Sequence, residues 1–204
     1  MKKIVSILFL LLLGGSLNVS AQQIADKASE RVAMLSRAVK SLGRYAVRFE
    51  VEVGEQRVSG DYTVGEGRYT LHLGTIEVYG DAECRYEVDT SRKEIIIDKV
   101  DNTSHNILNN PLSAFDFIGE EYAAAILSED GGKVVVRLTP RQEAEQSGVV
   151  DVEIDTRTNL PKSLIYRPSG ESIKIDIPYI GAVSVEPTAF DSSKYKNFEV
   201  IDFR

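Results

Sequence analysis

The residue types that most often do chemistry in proteins, histidine and cysteine, are scarce in this chain and are not grouped. His72 and His105 are the only histidines and Cys84 is the only cysteine among 204 residues. His72 stands between Leu71 and Leu73 in an alternating stretch, which predicts the outer face of a strand, and His105 falls in a polar loop. Neither histidine has the spacing of a metal ligand to another histidine, cysteine or acidic cluster.

The closely spaced acidic residues also fit solvated surfaces better than an acid/base pair. Glu120 and Glu121 lie in a predicted helix, whereas Asp151, Glu153 and Asp155 alternate along a predicted strand. The sequence has no Gly-x-Ser-x-Gly elbow, no phosphate-binding glycine loop and no evident Cys-His arrangement. We therefore predict that the protein is not an enzyme and uses no cofactor and no metal.

The charge balance argues against polyanionic partners. There are 24 basic and 31 acidic residues, a formal net charge of −7, and removing Lys2 and Lys3 leaves 22 against 31, or −9. Nucleic acid and anionic membrane surfaces both require a cationic face, so we expect neither as a partner. A single cysteine cannot form an intramolecular disulfide, and Cys84 alternates with Tyr86 and Val88 as a small apolar residue would.

The first 21 residues have the pattern of a secretion signal. Two lysines precede the apolar run from Ile4 to Leu13, and Val19-Ser20-Ala21 is a small-residue cleavage site. We predict cleavage after Ala21 and one domain over residues 22–204, which is a normal domain size. No cysteine stands immediately after the cleavage site to carry a lipid anchor, so we expect a soluble, monomeric protein in the periplasm.

The period of the apolar residues changes from helical to extended at Gly43. From Gln22 to about Leu42 they recur every three or four residues, which predicts an amphipathic helix. From Tyr45 to Val53 every odd residue is apolar, and similar alternation recurs to the end of the chain, predicting ten or eleven strands. Asn110-Pro111 starts a second amphipathic helix, which we expect to run to about Leu127 and to be weakened by Gly119.

A sheet of this size must curl or split, and its apolar face must be covered. We therefore predict a mainly β (α+β) fold, in which a curled antiparallel sheet forms an incomplete barrel and amphipathic helices cover its concave face. Two helices fill such a surface less densely than a second sheet, which favours an apolar cavity. A completely filled core is the alternative, but several inward tyrosines would each need a hydrogen-bond partner there.

Several short motifs, in order, resemble the outer-membrane lipoprotein carrier family, the LolA-like periplasmic proteins. The alternating strand from Tyr45 leads to a strand that contains Gly60, and Gly67-Arg68-Tyr69-Thr70-Leu71 and Glu77-Val78-Tyr79-Gly80-Asp81 follow. The later motifs are Tyr86 to Glu94, Asn110-Pro111-Leu112, Leu160 to Leu164 and the ending Glu199 to Arg204. The chain departs from the family pattern at Gly80 to Tyr86 and has no tryptophan.

The resemblance implies a periplasmic carrier that binds the acyl chains of lipoproteins, or related lipids, in an apolar cavity and shuttles them toward the outer membrane. It also implies an inner-membrane extraction complex and an outer-membrane acceptor as partners, and it makes Arg68 the candidate latch of a mobile lid helix. A non-enzymatic binding or scaffold protein with a filled core is the alternative. The candidate cavity residues are Phe49, Val51, Tyr62, Tyr69, Leu71, Tyr86, Phe115, Ile118 and Tyr122.

Overall fold

The structure is a computed structural model that describes residues 26–100, 122–141, 148–168 and 170–204. The predicted signal peptide and the candidate cavity residues Phe115 and Ile118 lie outside these ranges. Among the described residues, no helix is both long enough and apolar enough to cross a membrane.

One helix and twelve strands make up the regular structure in the described ranges. The helix, α1, covers residues 26–41, and a single turn of 3-10 helix covers Ser192–Tyr195. The strands are β1 (Tyr45–Val53), β2 (Gln56–Gly65), β3 (Arg68–Leu73), β4 (Ile76–Gly80), β5 (Cys84–Asp89), β6 (Glu94–Lys99), β7 (Tyr122–Asp130), β8 (Lys133–Pro140), β9 (Val149–Asp155), β10 (Pro161–Arg167), β11 (Ile173–Ala182) and β12 (Glu199–Asp202).

All twelve strands belong to one open sheet. Their order is β12-β6-β5-β4-β3-β2-β1-β11-β10-β9-β8-β7, and every neighbouring pair is antiparallel except β12 with β6, which is parallel. The mainly β fold class is confirmed, but the sheet is neither closed nor strongly curled, so the predicted incomplete barrel is wrong. The prediction assumed that all apolar side chains lie on one concave face, and they do not.

Helix α1 forms where its apolar residues recur at helical spacing. Ala28, Val32, Leu35 and Val39 are all buried, and the last three share one hydrophobic cluster with side chains of the sheet. Gly43 follows the helix with a φ of 64°, a left-handed conformation that glycine adopts without steric cost. The chain then enters β1 directly.

The second predicted helix is wrong where the structure describes it. Tyr122–Asp130 is strand β7 at one edge of the sheet, paired with β8 through the Gly131-Gly132 turn. Both glycines have a positive φ, 58° and 82°, as a tight hairpin turn requires. Residues 122–127 were predicted to be helical, but their backbone hydrogen bonds to β8 hold them in a strand.

The apolar residues change sides of the sheet between β4 and β5. From β1 to β4 and from β8 to β11 they face α1; we call this side the helix-side face. On β5 the register pairs Val78 with Glu87 and Gly80 with Arg85, which puts charged residues on that face. Tyr86 and Val88 consequently point to the opposite side, where Val88, Ile95 and Ile97 are buried.

The C-terminal region covers this second apolar surface. Phe190, Tyr195 and Phe198, from a segment that we call the strap (residues 184–198), pack against the cluster of Tyr79, Val88, Ile95 and Ile97. The rings of Tyr86 and Phe190 are stacked, with centroids 4.3 Å apart and an interplanar angle of 6°. We call this side the strap-side face, so the sheet has two cores, each with its own cover.

Candidate functional site

On the helix-side face, side-chain burial declines along the direction of the strands, so that one end of the sheet, formed by one set of strand ends, is less buried than the other. On β1, Tyr45, Val47 and Phe49 are buried, whereas Val51 and Val53 are only partly buried. The decline repeats on β3, where Leu71 is buried and Leu73 is not, and on β4, β9, β10 and β11. Cross-strand pairing brings all these less buried residues to the same end of the sheet.

These partly exposed apolar residues form a continuous strip across seven neighbouring strands, from β4 to β9. We call this strip the apolar margin; it consists of Val51, Val53, Val58, Leu73, Ile76, Val150, Leu164, Tyr166, Ile173 and Ile175. At about 4.8 Å between strands, six spacings give a length of about 29 Å. A strip of this kind can receive an extended apolar ligand, and it contains no ionisable side chain apart from the Tyr166 phenol.

Five of the predicted cavity residues lie on the helix-side face at or next to this strip. Val51 belongs to the apolar margin, and Phe49, Tyr62, Tyr69 and Leu71 are buried in the core cluster beside it. Tyr122 also packs against this cluster, although from strand β7 and not from a lid helix.

Two of the predicted site residues lie on the other side of the sheet. Tyr86 pairs with Tyr79 and stacks on Phe190 of the strap, so it does not line a cavity with Tyr69 or Leu71. Arg68 is exposed at the start of β3. It lines a surface cleft together with Tyr79 and Tyr86, which are strap-side residues. A latch from Arg68 to a cover on the helix-side face does not fit this position.

The buried tyrosines of the helix-side face are held as neutral phenols. Burial is the largest cause that raises the pKa of Tyr62 well above its ordinary value, and the neighbouring Tyr45 raises it further. The two rings meet edge to face with centroids 6.1 Å apart. Burial likewise raises the pKa of Tyr69, whose hydroxyl has no well-aligned hydrogen-bond partner in the part of the chain that the structure describes. Neither phenol is placed to act as a base.

Sequence reasoning missed most of the apolar margin. Its members outside β1, such as Val58, Leu73, Ile76 and Ile173, are distinguished from core residues only by their position near one end of each strand. The sequence signal for the apolar margin was that the alternation of apolar residues continues to the ends of these strands. Recognising it required the register between strands, which the alternation alone does not give.

The strap-side face carries a separate surface cleft of about 150 Å³. It is lined by Arg68, Tyr79, Gly80, Asp81, Tyr86, Thr188, Ala189 and Phe190. The Thr70 hydroxyl donates to the Thr188 carbonyl at 3.0 Å, which fixes the strap beside the strand ends. No group of three His, Cys, Asp or Glu side chains that could hold a metal occurs among the residues that the structure describes.

A hydrogen-bond network next to the cleft ties the Tyr195 side chain of the strap to strand β4. The Tyr79 and Tyr195 hydroxyls both donate to Glu77 Oε2, at 2.7 Å and 2.6 Å, and lie 2.9 Å from each other. Burial alone would raise the pKa of the Glu77 carboxyl, but these hydrogen bonds hold it below its ordinary value. Burial is also the main cause that raises the pKa of Tyr195. Glu77 is therefore an ionised anchor for two phenols.

Comparison with known proteins supports the fold. No protein-family model and no curated protein matches the chain. An uncharacterized conserved protein from Thermus thermophilus is 9% identical over 90% of this chain and 99% of its own, with a TM-score of 0.51. At that identity the similarity concerns the fold alone.

Two other solved structures are similar at lower TM-scores. A chain in the Pseudomonas aeruginosa MucA/MucB complex is 17% identical, with a TM-score of 0.49, over 78% of this chain and 59% of the other. A putative outer membrane lipoprotein-sorting protein domain from Vibrio parahaemolyticus is 10% identical over 85% of this chain and 100% of its own, with a TM-score of 0.46. The chain thus spans about three fifths of the Pseudomonas protein that it matches.

Proposed function

We propose that the protein is an exported, non-enzymatic carrier that binds the acyl chains of lipoproteins, or of related lipids, against the apolar margin and delivers them toward the outer membrane. The observation that carries this proposal is the decline of burial along seven neighbouring strands, which leaves a continuous apolar strip partly exposed. Soluble proteins rarely expose such a strip without a ligand or partner to cover it.

The energetics of acyl-chain burial fit a strip of this kind. Each methylene removed from water gains about 0.8 kcal/mol, so burying six methylenes would contribute about 5 kcal/mol before the cost of ordering the chain. A strip about 29 Å long can also accept one acyl chain in several positions. Such binding would be strong enough to keep the chain out of water and weak enough to allow transfer.

The core beneath α1 would provide the rigid support for the ligand. Leu35 and Val39 are buried at 1% and 2% exposure, and Val134 and Val136 of β8 are fully buried. The Glu129 carboxylate accepts hydrogen bonds from Lys27 at 2.6 Å and from Arg31 at 2.7 Å, which ties the start of α1 to the β7–β8 hairpin. We infer that the ligand packs beside this core and does not replace it.

The partners belong to the same proposal. The sequence resemblance to the lipoprotein carriers suggests an inner-membrane extraction complex as the donor and an outer-membrane acceptor as the recipient. A carrier of this kind releases its ligand when the acceptor binds the acyl chain more tightly. The predicted periplasmic location and the single domain over residues 22–204 remain predictions with it.

The experiment that tests the proposal is mass spectrometry of organic extracts from protein purified from its native periplasm without detergent. We expect acylated peptide or lipid in near-stoichiometric amounts. A clean extract, together with no uptake of a fluorescent fatty acid, would support the alternative, a binding or scaffold protein with a filled core.

A further inference from the structure

The cleft on the strap-side face is a second candidate site, separate from the apolar margin. We propose that it binds an aromatic carboxylate, with the carboxylate on Arg68 and the aromatic ring against the stacked rings of Tyr86 and Phe190. Its volume of about 150 Å³ is close to that of cavities that hold a benzene ring. The apolar margin belongs to the opposite face, so the two sites do not share residues.

The charges that line the cleft select an anion. The Asp81 carboxylate already accepts two backbone N–H groups, those of Glu83 and Cys84, each at 2.8 Å. Arg68 is exposed in the cleft, and its side chain makes no hydrogen bond or ion pair with any other residue in the described ranges. The guanidinium is therefore the group left to bind a ligand, and its planar fork matches a carboxylate.

The same charges favour a singly charged anion over a phosphate. Asp81 in the same cleft repels a doubly charged phosphate more strongly than a singly charged carboxylate, and the one guanidinium of Arg68 can neutralise only a single negative charge of the ligand. The ring pair of Tyr86 and Phe190 supplies an apolar surface on which a flat group can pack.

The walls of the cleft are held in place before any ligand binds. Arg44 donates to the Ser184 carbonyl at 3.1 Å and forms ion pairs with Glu66 and Glu186, so it ties the start of the strap to the β2–β3 turn. The hydrogen bond from Thr70 to Thr188 holds the next part of the strap. A site formed in this way loses little entropy when a ligand binds.

The test is a titration of the purified protein with benzoate and with N-acetylphenylalanine, followed by the NMR amide shifts of Gly80 and Ala189. The first probe represents a free aromatic acid and the second represents the carboxyl end of a peptide. We expect at least one of them to bind with a Kd of about 1 mM and to shift these two amides. The one that binds identifies the source of the ligand.

Two variants and one neutral analogue make the test specific. Arg68→Gln should weaken binding about tenfold or more, because a charge-assisted hydrogen bond is lost. Arg92→Gln, which removes a guanidinium from an exposed turn, should leave the affinity unchanged. The proposal is overturned if neither acid shifts these amides, if Arg68→Gln binds as well as the unmodified protein, or if N-acetylphenylalanine amide binds as tightly as the acid. Acyl-chain uptake should be unaffected by Arg68→Gln, so this site and the carrier proposal can fail independently.

Discussion

At the scale of single residues, Gly80 determines how β3 and β4 pack on the helix-side face. A Cβ atom at this position would lie 2.2 Å from Cζ of Tyr69, whose side chain is only 1% exposed and has no room to move. We expect Gly80→Ala to lower the free energy of unfolding by about 2 kcal/mol through overpacking. Gly170→Ala is the matched control, because nothing lies within 4 Å of its Cβ position. Urea unfolding that gives equal stability for both variants would contradict this packing.

Asp151 is a buried carboxylate on the strap-side face, and its ionisation should connect stability to pH. It accepts hydrogen bonds from Arg137 Nε at 2.7 Å and Nη2 at 2.9 Å, and from Arg167 Nη1 at 2.6 Å. The bonds from Arg137 are the main cause that lowers the pKa of Asp151; burial opposes them and Arg167 adds to them. A carboxyl with a lowered pKa in the folded state stabilises the protein above its unfolded pKa, and this contribution is lost as the pH falls.

We therefore expect Asp151→Asn to lower the free energy of unfolding by about 2 kcal/mol at pH 7. The difference from the unmodified protein should shrink as the pH falls below about 4, where the carboxyl of the unfolded chain binds a proton, and should be lost once the pH falls below the lowered pKa of the folded carboxyl. Denaturant unfolding between pH 7 and pH 2 measures both effects. Asp176→Asn, which removes an exposed partner of Lys174, should cost less than about 1 kcal/mol. A difference that stays constant over this pH range would show that ionisation of Asp151 contributes nothing.

At the scale of elements, α1 should contribute much of the stability of the helix-side core. Leu35 is 1% exposed and lies in the main cluster, so Leu35→Ala should lower the free energy of unfolding by about 3 kcal/mol through the cavity that it leaves. Arg37→Ala, on the exposed side of the same helix, should cost less than about 0.5 kcal/mol. Thermal unfolding followed by circular dichroism distinguishes these values. A small loss from Leu35→Ala would mean that α1 is not part of the folded core.

The elements also show what sequence patterns can and cannot predict. Strands such as β1 and β9 were predictable because alternation has only one structural explanation there. The run from Tyr122 to Leu127 fits two periods, since Tyr122, Ala125 and Ile126 suit a helix while Tyr122, Ala124 and Ile126 suit a strand. Pairing with β8, a tertiary interaction, determines the outcome. The side on which Tyr86 lies depends on the turn after Gly80, and alternation within a strand carries no information about that turn.

At the scale of the whole molecule, the two faces of the sheet differ in how completely their apolar surfaces are covered. The strap closes the apolar surface of β5 and β6 almost completely, whereas α1 leaves one end of the larger helix-side face partly exposed. A curled barrel was predicted because all apolar residues were assigned to one face. Once they are divided between two faces, an open sheet can bury both, and the apolar margin remains as the partly exposed surface on which the proposed carrier function rests.

The most direct test of the account is the binding of a fluorescent N-palmitoyl peptide to two variants of strand β2. Val58 belongs to the apolar margin with 39% exposure, and the next residue, Ser59, points to the strap-side face. Both sites are exposed, so both glutamate variants should fold, and they carry the same net charge. We expect Val58→Glu to weaken binding at least tenfold, because a charge would lie where methylenes are buried, and Ser59→Glu to bind as the unmodified protein does. Equal binding by both variants would contradict the assignment of the acyl chain to the apolar margin.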